Sequence, residues 1–157
     1  EDSSVYEENM QRLVHKWETA KELAPRPQIK YRDENSKVAA IFYGTSAQAS
    51  YEAIDGLEEA GVKVNTCRIK SFPFHNDIKD FIAQHETVFV IEQNRDGQMR
   101  TLLINEFNIG TERLKSILNI DGMPIRARRI KRKIEKMLNG EVVSPFTTAN
   151  SGKEVIA

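Results

Sequence analysis

The stretch VAAIFY at residues 38–43 is a run of apolar side chains that ends at Gly44, and TVFVIE at residues 87–92 repeats the pattern. Each run has the length of a strand, and neither alternates between apolar and polar positions. That pattern is typical of strands buried on both faces, which occur in parallel sheets covered by helices. The two runs therefore predict an α/β fold with a mostly parallel sheet.

Helical and strand-like patterns alternate on both sides of these runs. A helix is predicted over residues 5–24, and Pro25 ends it because proline has no amide donor. A second helix is predicted between a capping box at Thr45 and Gln48 and a left-handed Gly61. Shorter helices are predicted around residues 78–82, capped by Asn76, and over residues 98–108. Further strands are predicted at residues 28–31, 62–70 and 114–119, so five strands alternate with helices as in a parallel sheet with right-handed crossovers.

The overall charge is balanced, but its distribution is uneven. The chain has 157 residues with 23 basic and 23 acidic side chains, which excludes a globally basic nucleic-acid binder. Residues 1–124 are net acidic, and residues 125–157 are net basic. A single cysteine excludes an intrachain disulfide and favours a reducing compartment. No apolar run approaches the ~20 residues of a membrane span, no signal peptide is recognisable, and the absence of an initial Met suggests an excised piece of a longer protein.

These patterns divide the chain into three parts. Residues 1–36 are predicted to form an N-terminal helix and linker with a short edge strand. Residues 37–140 are predicted to form the α/β domain, and residues 141–157 an extended tail rich in small and polar side chains.

Polar residues follow the two apolar strands, at the sheet edge where ligands meet parallel sheets. The candidate cleft or interface consists of Gly44, Thr45, Ser46, Glu92, Asn94, Gly97 and Gln98. One interpretation is a phosphate or carboxylate pocket at two helix N-termini, and the other, which is favoured, is ordinary capping and turn chemistry. Glu92 is correspondingly either a general base or, in the favoured interpretation, a cap or interface hydrogen-bonding partner.

Known cofactor and metal motifs are absent from the sequence. It contains neither a GxGxxG fingerprint nor a P-loop. His15, His75 and His85 lack metal-ligand spacing and are predicted to be surface or packing residues. Cys67 lies in the middle of a strand and is predicted to be a buried, inert thiol. We therefore predict no catalytic, cofactor-binding or metal-binding residue in this chain.

A basic amphipathic helix follows Pro124. Its apolar stripe, Ile130, Ile134 and Leu138, is predicted to pack on the sheet, and its basic side is either solvated or docks on an acidic neighbouring subunit. Nucleic-acid or membrane binding is disfavoured, and the lack of aromatic residues among the cations weakens single-strand nucleic-acid binding in particular. The candidate docking residues are Arg126, Arg129, Lys133 and Lys136.

Several motifs together resemble one enzyme family. They are Tyr43-Gly44-Thr45-Ser46, Gly61-Val62-Lys63-Val64, Pro73-Phe74, Glu92-Gln93-Asn94 with Gly97-Gln98, and Asp121-Gly122-Met123-Pro124. Over roughly residues 10–125 the chain resembles the C-terminal part of the α subunit of 2-oxoacid:ferredoxin oxidoreductases, most closely the 2-oxoglutarate type, with pyruvate-type relatives sharing the pattern. The resemblance implies a transketolase C-terminal-like, three-layer α/β/α domain with an antiparallel first strand in a five-stranded sheet.

The resemblance also implies a function for the parent protein. The family's enzymes use thiamine diphosphate with Mg²⁺, iron–sulfur clusters and CoA to convert a 2-oxoacid to an acyl-CoA and reduce ferredoxin. The motifs for these groups lie outside this sequence, so the chain is interpreted as a non-catalytic assembly domain in a cytoplasmic complex. Its partners would be the β subunit and the rest of the α subunit, with ferredoxin contacted indirectly. The alternative is a free-standing module that binds CoA or another small molecule.

Overall fold

Residues 2–144 are described by a computed structural model, in which a five-stranded sheet carries helices on both faces. The strands are β1 (Gln28–Lys30), β2 (Val38–Tyr43), β3 (Asn65–Ile69), β4 (Thr87–Glu92) and β5 (Leu114–Leu118). The helices are α1 (Ser3–Leu23), α2 (Ser46–Glu59), α3 (Asn76–Ala83), α4 (Gln98–Phe107) and α5 (Ala127–Leu138). The predicted three-layer α/β/α class with five strands is confirmed.

The sheet runs in the order β1-β3-β2-β4-β5. Every neighbouring pair is parallel except β1 with β3, where Ile29 lies opposite Cys67 in antiparallel register. The predicted antiparallel first strand is thus confirmed. The apolar runs β2 and β4 are the central neighbours, which explains their burial on both faces.

Strand β3 is shorter than the predicted residues 62–70. Residues 61 and 62 instead cap the C-terminal end of α2. The amide of Val62 donates to the Leu57 carbonyl (2.9 Å), and the amide of Gly61 donates to the Glu58 carbonyl (2.9 Å). Gly61 has the left-handed φ of 83° that this helix ending requires. Sheet pairing therefore begins only at Asn65.

The two faces of the sheet bury separate apolar clusters. Helices α3 and α4 cover one face, and α2 and α5 cover the other. On the α5 side, Ile130 and Ile134 are fully buried, as predicted, whereas Leu138 at the helix end is partly exposed. At roughly 25 cal/mol per Å² of apolar surface, these clusters supply the main favourable term in folding.

Helix α1 lies apart from both clusters, and none of its residues is buried. It meets the body through Trp17, whose ring packs edge-on against Phe72 with centroids 5.4 Å apart. Phe72 contacts Phe74 at 5.0 Å, and Phe74 contacts Phe107 of α4 at 5.9 Å. We call these four rings the aromatic chain.

The N-terminus of α3 differs from the prediction. His75, not Asn76, is the capping residue, and its Nδ1 accepts from the amide of Asp77 (3.2 Å). Asn76 is the first helical residue. The imidazole nitrogen of His75 therefore satisfies a free amide at the start of α3, a role that the sequence pattern predicted for the Asn76 side chain.

A buried hydrogen-bond network around Asn65 anchors the loop between β1 and β2. Asn65 Oδ1 accepts from the amides of Arg32 (2.8 Å) and Asp33 (3.3 Å), and its Nδ2 donates to the Asp33 carbonyl (2.9 Å) and to His85 Nε2 (3.0 Å). His85 Nδ1 donates to the carbonyl of Phe81 (2.6 Å), which fixes the tautomer. Burial lowers the pKa of His85, so the neutral ring is favoured.

Only the first four residues of the predicted tail are among the described residues. Residues 141–144 contain neither helix nor strand, and the rest of the predicted tail, residues 145–157, lies outside the described residues. Among residues 2–144, every helix is too short or too polar to cross a membrane.

Candidate functional site

The candidate cleft lies where the carboxyl ends of β2 and β4 meet. These strands pair directly, with Phe42 opposite Ile91. The connection after β2 leads to α2 on one face, and the connection after β4 leads to α4 on the other. Such a divergence opens the crevice in which parallel sheets usually bind ligands. The topology therefore brings the predicted segments 44–46 and 92–98 together.

Glu92 occupies the N-terminus of α4. Its carboxylate is fully buried; Oε2 accepts from the Met99 amide (2.8 Å) and from Asn94 Nδ2 (2.7 Å), and Oε1 accepts from the Arg100 amide (3.2 Å). The chain thus provides its own anion for these amides. The cap interpretation of Glu92 is confirmed, and a phosphate pocket at this helix start is disfavoured.

Asn94 and Gly97 shape the turn that brings α4 back over Glu92. Asn94 Oδ1 accepts from the amides of Asp96 (3.1 Å), Gly97 (2.8 Å) and Gln98 (3.3 Å). Gly97 has a φ of 63°, and an added Cβ would lie 3.3 Å from Ser116 Oγ. A side chain here would be both strained and crowded. Gln98 begins the helix with an exposed side chain.

Gln93 connects three loops at this edge, a role that sequence reasoning missed. Its Nε2 donates to Thr45 Oγ1 (3.1 Å) and Ser46 Oγ (3.2 Å), while its Oε1 accepts from the amide of Ile125 (3.0 Å). The available signals were its position directly after a buried strand and its place in the Glu92-Gln93-Asn94 motif. We call Gln93 with these partners the Gln93 bridge.

The predicted capping box at Thr45 and Gln48 is wrong. Thr45 has helical backbone angles and its side chain caps no amide. Its hydroxyl accepts instead from Gln93, a partner 48 residues away that local spacing does not reveal. Gly44 precedes it with a φ of 53° and open space where a side chain would stand.

Titratable groups around the sheet show no activated nucleophile. Burial raises the pKa of the Cys67 thiol to about 12, so the thiol stays protonated at neutral pH, in agreement with the inert role predicted for it. Burial and the neighbouring Glu92 charge also raise the pKa of Tyr43. Among residues 2–144, no cluster of His, Cys, Asp and Glu could hold a metal ion.

The candidate basic face on α5 is split between inward and outward side chains. Lys133 is only 5% exposed and its ammonium donates to the carbonyl of Leu118 (3.3 Å). Arg129 donates to Asn119 Oδ1 (2.6 Å) and pairs with Asp121 (2.8 Å). The expectation that these two cations face solvent or a partner is wrong, because Lys133 binds the end of β5 and Arg129 binds the loop that follows it. Arg126 is exposed and Lys136 lies near Glu141 (3.3 Å), so a docking role for that pair stays a prediction.

Replacing Lys133 by Met should stabilise the chain. Burial and nearby Arg129 lower the pKa of Lys133 to about 8, from an ordinary 10.5. At pH 7 the folded chain therefore holds a buried ammonium charge that its surroundings disfavour. We expect Lys133→Met to raise the free energy of unfolding by about 1–2 kcal/mol. This figure allows for the loss of the hydrogen bond to the Leu118 carbonyl and for residual hydration of the ammonium group. Urea denaturation followed by circular dichroism measures this.

The pH dependence provides a second readout for Lys133. Between pH 8 and 10.5 the unfolded chain binds the proton that the folded chain has lost, so the stability of the wild type rises with pH. That rise should be smaller in Lys133→Met. Lys136→Met is the matched control and should change stability by less than about 0.5 kcal/mol. Equal effects of the two substitutions would contradict the prediction.

The sequence of this chain is similar to those of known enzyme subunits. No family model matches the sequence. The chain is 25% identical over 142 residues to the α subunit of 2-oxoacid:ferredoxin oxidoreductase 2 of Aeropyrum pernix, covering 88% of this chain and 22% of that protein. It is 29% identical over 138 residues to the corresponding α subunit of Saccharolobus solfataricus, covering 85% of this chain and 21% of that protein. The chain is homologous to α subunits of 2-oxoacid:ferredoxin oxidoreductases. It spans about a fifth of the length of these two curated relatives.

Solved structures support the same architecture. The 2-oxoglutarate:ferredoxin oxidoreductase of Magnetococcus marinus, solved with 2-oxoglutarate, coenzyme A and succinyl-CoA bound, superposes with a TM-score of 0.77 at 20% identity, covering 86% of this chain and 23% of that one. A split-gene transketolase superposes with a TM-score of 0.57 at 15% identity, covering 71% of this chain and 42% of that one. At these identities the likeness concerns the fold, and it confirms the predicted transketolase-like architecture.

Proposed function

We propose that this chain is a non-catalytic assembly domain in the α subunit of a thiamine diphosphate-dependent 2-oxoacid:ferredoxin oxidoreductase in the cytoplasm. The parent enzyme converts 2-oxoglutarate or pyruvate to its acyl-CoA and reduces ferredoxin. The observation that carries the proposal is the homology to α subunits, which extends over 85–88% of the chain.

A structural rather than catalytic role fits the geometry of the carboxyl edge. Both oxygens of Glu92 are engaged by the start of α4, and the Cys67 thiol is buried. Thiamine diphosphate with Mg²⁺ does not fit the described residues, because those α4 amides are already occupied and residues 2–144 contain no metal-binding cluster. As part of the proposal, the cofactor, the iron–sulfur cluster and CoA bind other parts of the complex.

The partner surface is assigned to the loop after β5. Ile120 and Met123 are 42% and 59% exposed there, and Arg126 is exposed beside them. The Gln93 bridge holds this loop through the Ile125 amide. An edge that combines apolar and cationic side chains suits packing against an acidic rim of the β subunit or the rest of the α subunit.

Co-purification with the thiamine-binding β subunit from the same genome tests the proposal. We expect a complex, and no 2-oxoacid-dependent reduction of an electron acceptor by the chain alone. Arg126→Glu should weaken the complex about tenfold. The control Lys37→Glu makes the same charge change at the opposite edge of the sheet and should leave binding intact.

Failure of the full-length α chain to bind that subunit would overturn the proposal, as would equal weakening by both variants. A thermal-shift titration with CoA tests the alternative that the chain is a free-standing CoA-binding module. Since a ligand at 100 times its Kd stabilises by about 2.7 kcal/mol, a clear shift would favour that module instead.

A further inference from the structure

Helix α1 exposes an apolar stripe that the rest of the described chain covers only near its C-terminal end, where Trp17 contacts Phe72. Tyr6, Met10, Leu13 and Trp17 are 67%, 38%, 47% and 45% exposed. Their spacing along the helix, with Ser3 and Ala20 extending it at both ends, alternates between three and four residues. That spacing puts all of them on one narrow seam, as in helices that pair side by side. Exposed apolar stripes of this kind mark interaction sites.

The stripe is complementary to itself when a second copy is turned end to end. In an antiparallel pair centred between Gln11 and Arg12, Tyr6 of one copy faces Trp17 of the other. Met10 then faces Leu13, and the small residues at the two ends, Ser3 and Ala20, face each other. Each layer joins a large side chain to a large one or a small side chain to a small one. The arrangement is a closed two-fold contact that uses the same surface on both copies.

The charges along α1 select this direction. Residues 2–9 contain Asp2, Glu7 and Glu8 and no Lys or Arg, whereas residues 14–21 contain Lys16 and Lys21 against one Glu. The antiparallel register places the acidic segment of one copy along the cationic segment of the other. A parallel pair would place the two acidic segments side by side, which is less favourable because like charges repel.

We propose that two copies of this chain associate through α1 as an antiparallel helix pair. The apolar stripe forms the seam, and the aromatic chain connects each helix to its own body through Trp17 and Phe72. The inference is independent of the proposed function, because it concerns association of the chain with itself.

Sedimentation equilibrium of the 157-residue chain over roughly 1–200 μM measures the association. We expect a mass that rises from monomer to dimer across that range. Leu13→Glu should raise the dissociation constant by about tenfold or more, and far-ultraviolet circular dichroism should show that the exposed substitution leaves the helix folded. His15→Glu places the same residue on the opposite side of α1 and should leave the dimer unchanged.

Cysteine cross-linking tests the direction of pairing. In the antiparallel register, a mixture of Ser3→Cys and Ala20→Cys chains should form the mixed disulfide under mild oxidation. Each variant alone should not cross-link, because like positions lie about 25 Å apart along the pair. The native Cys67 is buried and should not compete.

Three outcomes would overturn the proposal. A monomer at every concentration would assign the apolar stripe to another partner. Self-cross-linking of either variant in place of the mixed product would indicate a parallel pair. Equal weakening by Leu13→Glu and His15→Glu would show that the stripe is not the interface.

Discussion

Replacing Glu92 by Ala should destabilise the chain by about 3–4 kcal/mol. The substitution removes the carboxylate that satisfies the Met99 and Arg100 amides and leaves a void in a fully buried position. Each unsatisfied buried donor costs about 1–3 kcal/mol, and the loss of a cap adds to this. Urea denaturation followed by circular dichroism should show a midpoint shifted to lower concentration with an unchanged slope.

Two further variants separate capping from general packing. Glu92→Gln keeps the shape but presents an amide group to the helix donors, so we expect a smaller loss of about 1–2 kcal/mol. Glu106→Ala removes an exposed carboxylate from the same helix and should change stability by less than about 0.5 kcal/mol. A loss below about 1 kcal/mol in Glu92→Ala would contradict the capping role.

Replacing Asn65 by Ala should cost about 3 kcal/mol, because a fully buried carboxamide with four hydrogen bonds is removed. The loop between β1 and β2 loses its anchor, and His85 Nε2 loses its donor. Amide hydrogen exchange gives a local readout: the amides of Arg32 and Asp33 should exchange faster than in the wild type, relative to those in β4.

The control for Asn65 is Asn35→Ala, which changes an exposed carboxamide in the same loop. It should leave both stability and exchange at Arg32 within experimental error. If exchange at Arg32 and Asp33 were unchanged in Asn65→Ala, the network would not anchor the loop, whatever the change in overall stability.

The parts of the fold that depend on local pattern were predictable. The apolar runs at residues 38–43 and 87–92 lie in the centre of the sheet because strands without a polar face can be placed nowhere else. The end of α2 at Gly61 was also predictable from local sequence, because few residues other than glycine tolerate its left-handed backbone angles. Strand order was not predictable, because it depends on pairings between residues far apart in sequence.

The errors at the candidate site share one physical cause. The pattern at Thr45 and Gln48 fits a capping box, but a donor from Gln93, 48 residues away, takes the threonine hydroxyl. Lys133 belongs to a cationic run, yet its position on the helix turns it toward the Leu118 carbonyl. In both cases the partner lies far away in the sequence: spacing places Lys133 on the side of Ile130, but it does not identify the carbonyl that Lys133 meets, nor the donor to Thr45.

The aromatic chain has a consequence for how unfolding of this protein is observed. Trp17 is the single tryptophan of the sequence, and it lies at the junction between α1 and the body, outside both apolar clusters. Its fluorescence therefore reports detachment of α1, whereas circular dichroism reports the melting of all helices and the sheet. Coincidence of the two signals is the usual criterion for all-or-none behaviour. In this chain their separation would measure how strongly the N-terminal helix is coupled to the cooperative unit formed by the sheet.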